Sequence, residues 1–121
     1  MAKHISSESR VQNLDYFNSW KQLSEQEKNY AYYMSKASWE GALITLHQLC
    51  YEAPPLFCIF QTYFADKNFE ELEARAAAVG VSTQHWQNFI NYVGGFYGNL
   101  SNYHSFGHMK FVPDVPADTF W

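Results

Sequence analysis

The stretch Ser24-Glu25-Gln26-Glu27-Lys28-Asn29-Tyr30-Ala31-Tyr32-Tyr33-Met34-Ser35-Lys36-Ala37-Ser38-Trp39-Glu40-Gly41 decides the fold class. Ser24 with Glu27 three residues later is a capping box, in which hydroxyl and carboxylate satisfy free amides at a helix start reciprocally. The helix it opens is predicted to run over residues 24–49. Tyr30, Met34, Ala37, Gly41 and Ile44 form one apolar stripe at helical spacing. Trp39, Leu43, Leu46 and Cys50 form a second stripe on nearly the opposite side, leaving Lys36, Glu40 and His47 as a narrow polar strip. A helix apolar on two sides is buried between partners. It is therefore predicted to be the central helix of an α-helical bundle.

Working outward, Glu52-Ala53-Pro54-Pro55 breaks the chain, because proline is tolerated at a helix start and not inside one. Residues 56–64 are apolar almost all round and predict a second buried helix. Asp66 or Asn68 can cap a third, whose stripe is Phe69, Leu72, Ala76 and Val79, with Glu70, Glu71, Glu73 and Arg75 facing water. Gly80 before Val81 reads as a left-handed C-terminal cap with its hydrophobic contact. Ser82 or Thr83 opens a fourth helix along Trp86, Phe89, Ile90, Val93, Phe96 and Tyr97. Gly94-Gly95 costs helix stability, which points to close approach of another element. After Gly98 the helical period ends. Lys110-Phe111-Val112-Pro113 reads as a short edge strand or extended arm, kept short by Pro113 and Pro116. The resulting fold class is mainly α: a compact bundle of three to four helices in one domain. A loose leader occupies residues 1–15, a helical core 24–98, and an irregular loop and extended tail 99–121.

Composition bounds the function. The chain has 121 residues, 47% of them hydrophobic and 17% charged, so it is expected to fold as one domain. A net charge of -4 without a basic stripe argues against nucleic acid. No apolar run reaches the roughly 20 residues a bilayer span needs, so no membrane partner is expected. Met1-Ala2-Lys3-His4 leads into Ser and Glu rather than an apolar segment, and the expected location is cytoplasmic. Cys50 and Cys58 fit neither a redox motif nor a zinc pair and are expected as buried free thiols. Aromatic content is 19%, an excess that a four-helix unit of this size cannot hide, so some face is expected to meet another surface.

Five histidines are the first candidates for chemistry: His4, His47, His85, His104 and His108. Only His104 and His108 have useful spacing, and Gly107 argues against the helix that would align them. No acidic third ligand lies nearby, since the first carboxylate beyond is Asp114. No metal site is assigned. No histidine is followed by Glu, and the serine-hydrolase, phosphate-loop and dinucleotide signatures are absent, so no catalytic residue is assigned either. The stretch from Gly98 to Pro113 is different. It is rich in Gly, Asn and Ser and carries exposed-type aromatics, the composition of a binding loop on a rigid scaffold. Ser105, Phe106 and Gly107 are its best substrate-binding candidates: a Gly-flanked ring can face a peptide while neighbouring backbone groups hydrogen-bond it.

Several words of this sequence, in order, resemble the N-terminal region of the dipeptidyl peptidase III family. They are Tyr30-Ala31-Tyr32, Ser35-Lys36-Ala37-Ser38-Trp39 with Gly41, Glu52-Ala53-Pro54, and Asn99 through Pro113, including Asn102-Tyr103-His104-Ser105-Phe106-Gly107. The resemblance covers residues 14–120. It implies part of the first lobe of a two-lobed zinc metallopeptidase that releases dipeptides from the N-termini of short peptides. It also implies that Ser105, Phe106 and Gly107 border the cleft and contact bound peptide. The family's zinc motif, His-Glu-x-x-x-His, and its further Glu ligand lie downstream and have no counterpart here. Zinc is thus the family's cofactor and none is expected in this chain, which is expected to be inactive alone. His104 and His108 stand where a Lys-like and an Asp-like residue are expected, which weakens a metal role further.

A different class of reading is a freestanding helical module that grips a protein or peptide through its aromatic excess and Ser105 to Gly107. A metal-binding regulator using His104 and His108 ranks last. Under the first reading the chain's partners are short peptides and the remainder of the peptidase, reached through an exposed apolar surface.

Overall fold

The computed structural model describes residues 3–5, 13–104 and 108–120. Four helices carry the fold: α2 (Glu25–Leu49), α3 (Ala53–Phe64), α4 (Phe69–Ala78) and α5 (Thr83–Asn99). Short helices α1 (Phe17–Gln22) and α6 (Ala117–Phe120) flank them. Two strands, β1 (Lys3–His4) and β2 (Phe111–Val112), form a parallel pair in the register Lys3 with Phe111 and His4 with Val112. The architecture is mainly α, as the periodicity predicts.

Local chemistry sets the helix ends. The Ser24 hydroxyl accepts from the Glu27 amide at 3.3 Å while the Glu27 carboxylate accepts from the Ser24 amide at 2.8 Å, completing the capping box. Asn68 and Ser82, each one of two candidates, cap α4 and α5 through the amides of Glu70 and His85. Gly80 has φ +91°, and the amides of Gly80 and Val81 donate to the Ala77 and Ala76 carbonyls, both at 3.0 Å. That double bond is the Schellman ending, and Val81 packs on Leu72, Ala76 and Trp86 beside it.

The core is aromatic and centres on Phe60 of α3, 1% exposed, against Phe96 of α5, 0% exposed. Their ring centroids are 5.2 Å apart at 81°, and Tyr92 and Phe89 meet Phe60 edge-on at 6.2 Å. Leu46, Ala53, Val93 and Phe111 complete this cluster, and Leu72, Ala76 and Trp86 form a second one between α4 and α5.

Three expectations are corrected. α2 is not a central helix: Leu46 is its buried residue, while Tyr30, Ile44 and Trp39 are 69, 62 and 76% exposed. Two-sided apolarity calls for two partners, and the described residues cover only the C-terminal end of one side. α3 is buried along Ala53 and Phe60 only, with Cys58 and Ile59 exposed. The thiols are free, but Cys58 is exposed and Cys50 only half-buried. The amides of Lys3 and Ile5 donate to the Lys110 and Val112 carbonyls at 3.0 and 3.2 Å.

The glycine pair explains how that strand is seated. A methyl group at Gly95 would collide with the Ile5 side chain and lie 3.5 Å from Phe111 Cε2, whereas one at Gly94 meets open space. Gly95→Ala is therefore expected to destabilise the fold by about 1–3 kcal/mol through overpacking. Gly94→Ala is expected to stabilise it by about 0.5–1 kcal/mol through helix propensity. Urea midpoints of the two variants check this; equal midpoints would remove Ile5 from its seat on α5.

Candidate functional site

α5 ends in a sharp turn that aims the chain at the α2–α3 junction. Leu100 takes a left-handed conformation, φ 54°, and the Ser101 amide donates back to the Phe96 carbonyl at 3.2 Å. Leu100 packs against the main core, which holds this uncommon geometry for a non-glycine residue. Ser101 and Asn102, both buried, follow at once. The Ser101 hydroxyl accepts from the Tyr103 amide at 3.1 Å and donates to the Tyr103 carbonyl at 3.2 Å.

A polar cluster forms where this turn meets the junction. Asn102 Nδ2 donates to Glu52 Oε2 at 2.7 Å, and Lys110 Nζ reaches Glu52 Oε1 at 2.8 Å and Oε2 at 2.5 Å. Asn102 Oδ1 accepts from Cys50 Sγ at 3.4 Å. The Lys110 ammonium also lies 5.9 Å from the Tyr103 ring centroid. Lys110, and after it Asn102, hold the Glu52 carboxyl below the usual carboxylate range. The same contact raises Lys110. Burial pushes the neighbouring Tyr92 hydroxyl up to about 12, and the Glu52 charge adds to that.

Ser105, Phe106 and Gly107 lie outside the described residues. Their flanks are described, and the fold sets them side by side. Tyr103 and Lys110 form an antiparallel bridge, and the His104 amide donates to the Met109 carbonyl at 3.1 Å. The Phe111 amide donates to the Asn102 carbonyl at 2.9 Å, and the Phe111 ring is buried. An open groove of about 680 Å³ runs beside these arms, lined among others by Thr45, Leu49, Leu100, Tyr103, His104 and His108. A second, apolar groove of about 200 Å³ is lined among others by Ile59, Tyr63, His85, Trp86, Phe89 and Val115.

His104 and His108 are exposed, and the His104 ring rests 5.0 Å from that of Phe111. Among the described residues no three His, Cys, Asp or Glu side chains converge to hold a metal. Nor is any described helix long and apolar enough to cross a membrane. Sequence reasoning missed Glu52 and Lys110 as site residues. Both stood in recognisable words, Glu52-Ala53-Pro54 and Lys110-Phe111-Val112-Pro113, but nothing local pairs positions 58 residues apart.

Known proteins are similar to most of this chain. No family model matches the chain. A dipeptidyl peptidase 3 from Nematostella vectensis is 41% identical over 118 residues, covering 96% of this chain and 16% of that protein. The human dipeptidyl peptidase 3 is 37% identical over 108 residues, and that of Dictyostelium discoideum 35% over 114. The chain is homologous to part of dipeptidyl peptidase 3. It spans 15–16% of the length of these curated relatives. With 96% of the chain inside the longest of these matches, the Glu52, Asn102 and Lys110 cluster falls within the dipeptidyl peptidase 3 homology.

The pH dependence of the cluster follows from the two shifts. Glu52 is depressed, so its contribution to stability is full above its ordinary value of 4.5 and is lost as pH falls through the lower folded-state value. Lys110 is raised, so its contribution is full below its ordinary value of 10.5 and is lost as pH climbs through the higher folded-state value. The pair is intact between about pH 5 and about pH 10. Glu52→Gln is expected to lower stability by about 1 kcal/mol across that window. The deficit should fade in acid as pH falls through the lowered folded-state value of Glu52, read from urea midpoints at each pH. A deficit unchanged at the acid end would show that the carboxylate's charge is not what the cluster uses.

Proposed function

We propose that this chain forms part of the peptide-binding lobe of a zinc-dependent dipeptidyl peptidase, an exopeptidase that releases dipeptides from the N-termini of short peptides. The observation that carries this reading is the long homology to dipeptidyl peptidase 3 together with the loop architecture it contains. Residues 102–104 follow α5 and pair with residues 109–111, and in sequence Ser105, Phe106 and Gly107 lie between these paired flanks. In this reading the triplet's backbone groups hydrogen-bond an extended peptide and Phe106 presents its ring face to it.

The residues present do not fit a zinc site of their own. No histidine precedes a Glu, and His104 and His108 lack a converging third ligand among the described residues. The metal, when bound, activates water for amide hydrolysis; its ligands belong to parts of the peptidase outside this sequence. This chain's contribution is to bind and orient substrate. The exposed side chains of α2, notably Tyr30, Trp39, Leu43 and Ile44, supply the apolar surface against which the remainder of such an enzyme packs.

Two measurements test the reading. The purified chain is expected to release no naphthylamine from a dipeptidyl naphthylamide, with or without added zinc; zinc-dependent turnover would overturn the division of labour. The chain is also expected to bind an apolar dye and to self-associate through its uncovered surface. A monomer that binds no dye and unfolds cooperatively would favour the freestanding interaction module instead.

A further inference from the structure

We propose that the outer edge of β2, with the notch above Gly95, is a strand-capture site, and that besides β1 its occupant is the β1 of a second copy of this chain. Two copies exchange the segment Lys3-His4-Ile5 at this site. The exposed face of α2 takes no part in it.

The seat is built without β1. The Phe111 amide turns to the Asn102 carbonyl on one side, at 2.9 Å, so the carbonyls of Lys110 and Val112 face the other. That alternation belongs to any extended strand, and it sets two acceptors in a row for an added strand. Phe111 is buried and packs with Tyr92 and Phe96, so the aromatic core holds β2 in place. Gly95 forms the floor of the notch, at a helix-interior position where glycine costs stability. A Cβ there would meet Ile5 and Phe111, whereas the adjacent Gly94 opens on empty space. Every part of the seat comes from residues far along the chain from Ile5.

The segment that fills the seat defines what fits it. Lys3 and Ile5 donate through their amides to the Lys110 and Val112 carbonyls, in parallel register. His4 Nδ1 donates to the Pro113 carbonyl at 3.2 Å and stands 3.5 Å from Asp114 Oδ1. Ile5, half-buried, sets its side chain over Gly95. The site thus reads an extended segment in which a donor ring precedes a branched aliphatic residue, and a second copy carries that segment. Lys3 and His4 are exposed, and strand pairs this short are marginal without packing. Each bond made within one chain is remade unchanged between two, so exchange loses association entropy and no contact. A tethered segment meets its seat at an effective concentration on the order of 1 mM. Because β1 is seated at that concentration, the same strand binds between chains with a Kd at or below about 1 mM.

The test mixes two full-chain variants, each disabled in one half of the exchange. Ile5→Asp keeps the seat and loses the anchor; Gly95→Ala keeps the anchor and fills the seat. Isotope-labelled Ile5→Asp is titrated with unlabelled Gly95→Ala, and separately with the hexapeptide Ala-Lys-His-Ile-Ser-Ser, the sequence of residues 2–7. Both are expected to shift the amide resonances of Gly95, Phe111 and Val112, with midpoints at or below about 1 mM. The peptide should bind the unsubstituted chain about tenfold more weakly, because its seat is filled. A peptide that shifts nothing in Ile5→Asp overturns the capture site. So does one that binds the unsubstituted chain equally well, since it binds elsewhere. Shifts confined to α2 on mixing mark packing of apolar helix faces and overturn the exchange. No shift on mixing, with peptide bound, shows a seat for free peptides and overturns the second copy as occupant. Loss of the fold in Ile5→Asp makes β1 part of the folding core and overturns the proposal as well.

Discussion

The fold hangs on the contact between Phe60 and Phe96. Both rings are out of water, and they meet edge to face, the arrangement that places the positive rim of one ring on the negative face of the other. Phe60 fixes α3 and Phe96 fixes α5, so their contact sets the relation of the two helices. Tyr92 and Phe111 extend the cluster to β2, whose ring stands edge-on to Tyr92 at 5.7 Å. Through β2 the cluster also seats β1, since Ile5 lies over Gly95 on the same helix. The end of α5, and with it the start of the loop, is placed by this aromatic seam.

A polar cluster is then built on the rim of that seam. Glu52 begins the helix that carries Phe60, Asn102 follows the helix that carries Phe96, and Lys110 precedes the strand that carries Phe111. Once the rings are packed, three polar residues from three segments are brought to one place. Lys110 and Asn102 compensate the partial desolvation of the Glu52 carboxylate, which explains why it stays ionised below the usual range. Aromatic packing is broad in its angular tolerance, and hydrogen bonds to a charged acceptor are not. The first brings the segments together and the second selects their orientation.

α2 stands apart from this economy. Its apolar residues outnumber what α3 and the core can cover, and rings such as Trp39 and Tyr30 remain in water. A helix apolar on two sides is stable in water only with partners on both. The sequence pattern predicts a helix buried on two sides, and among the described residues only Leu46 of α2 is buried. It could not read that the described residues supply little more than part of one.

By itself the sequence determined what depends on a few neighbouring residues. The capping box at Ser24, the caps at Asn68 and Ser82, the left-handed Gly80 and the core stripe through Trp86, Val93 and Phe96 are of this kind. Each is a contest between a side chain and backbone within a turn or two, and the outcome is written locally. The resemblance to the dipeptidyl peptidase family was legible too. Only the tertiary structure decided that Lys3 pairs beside Phe111, that Ile5 uses the space at Gly95, and that Glu52 meets Asn102 and Lys110. These contacts join residues 50 or more positions apart, and no periodicity encodes such a meeting. They exist because packing the rings of Phe60, Phe96 and Phe111 leaves those residues nowhere else to be.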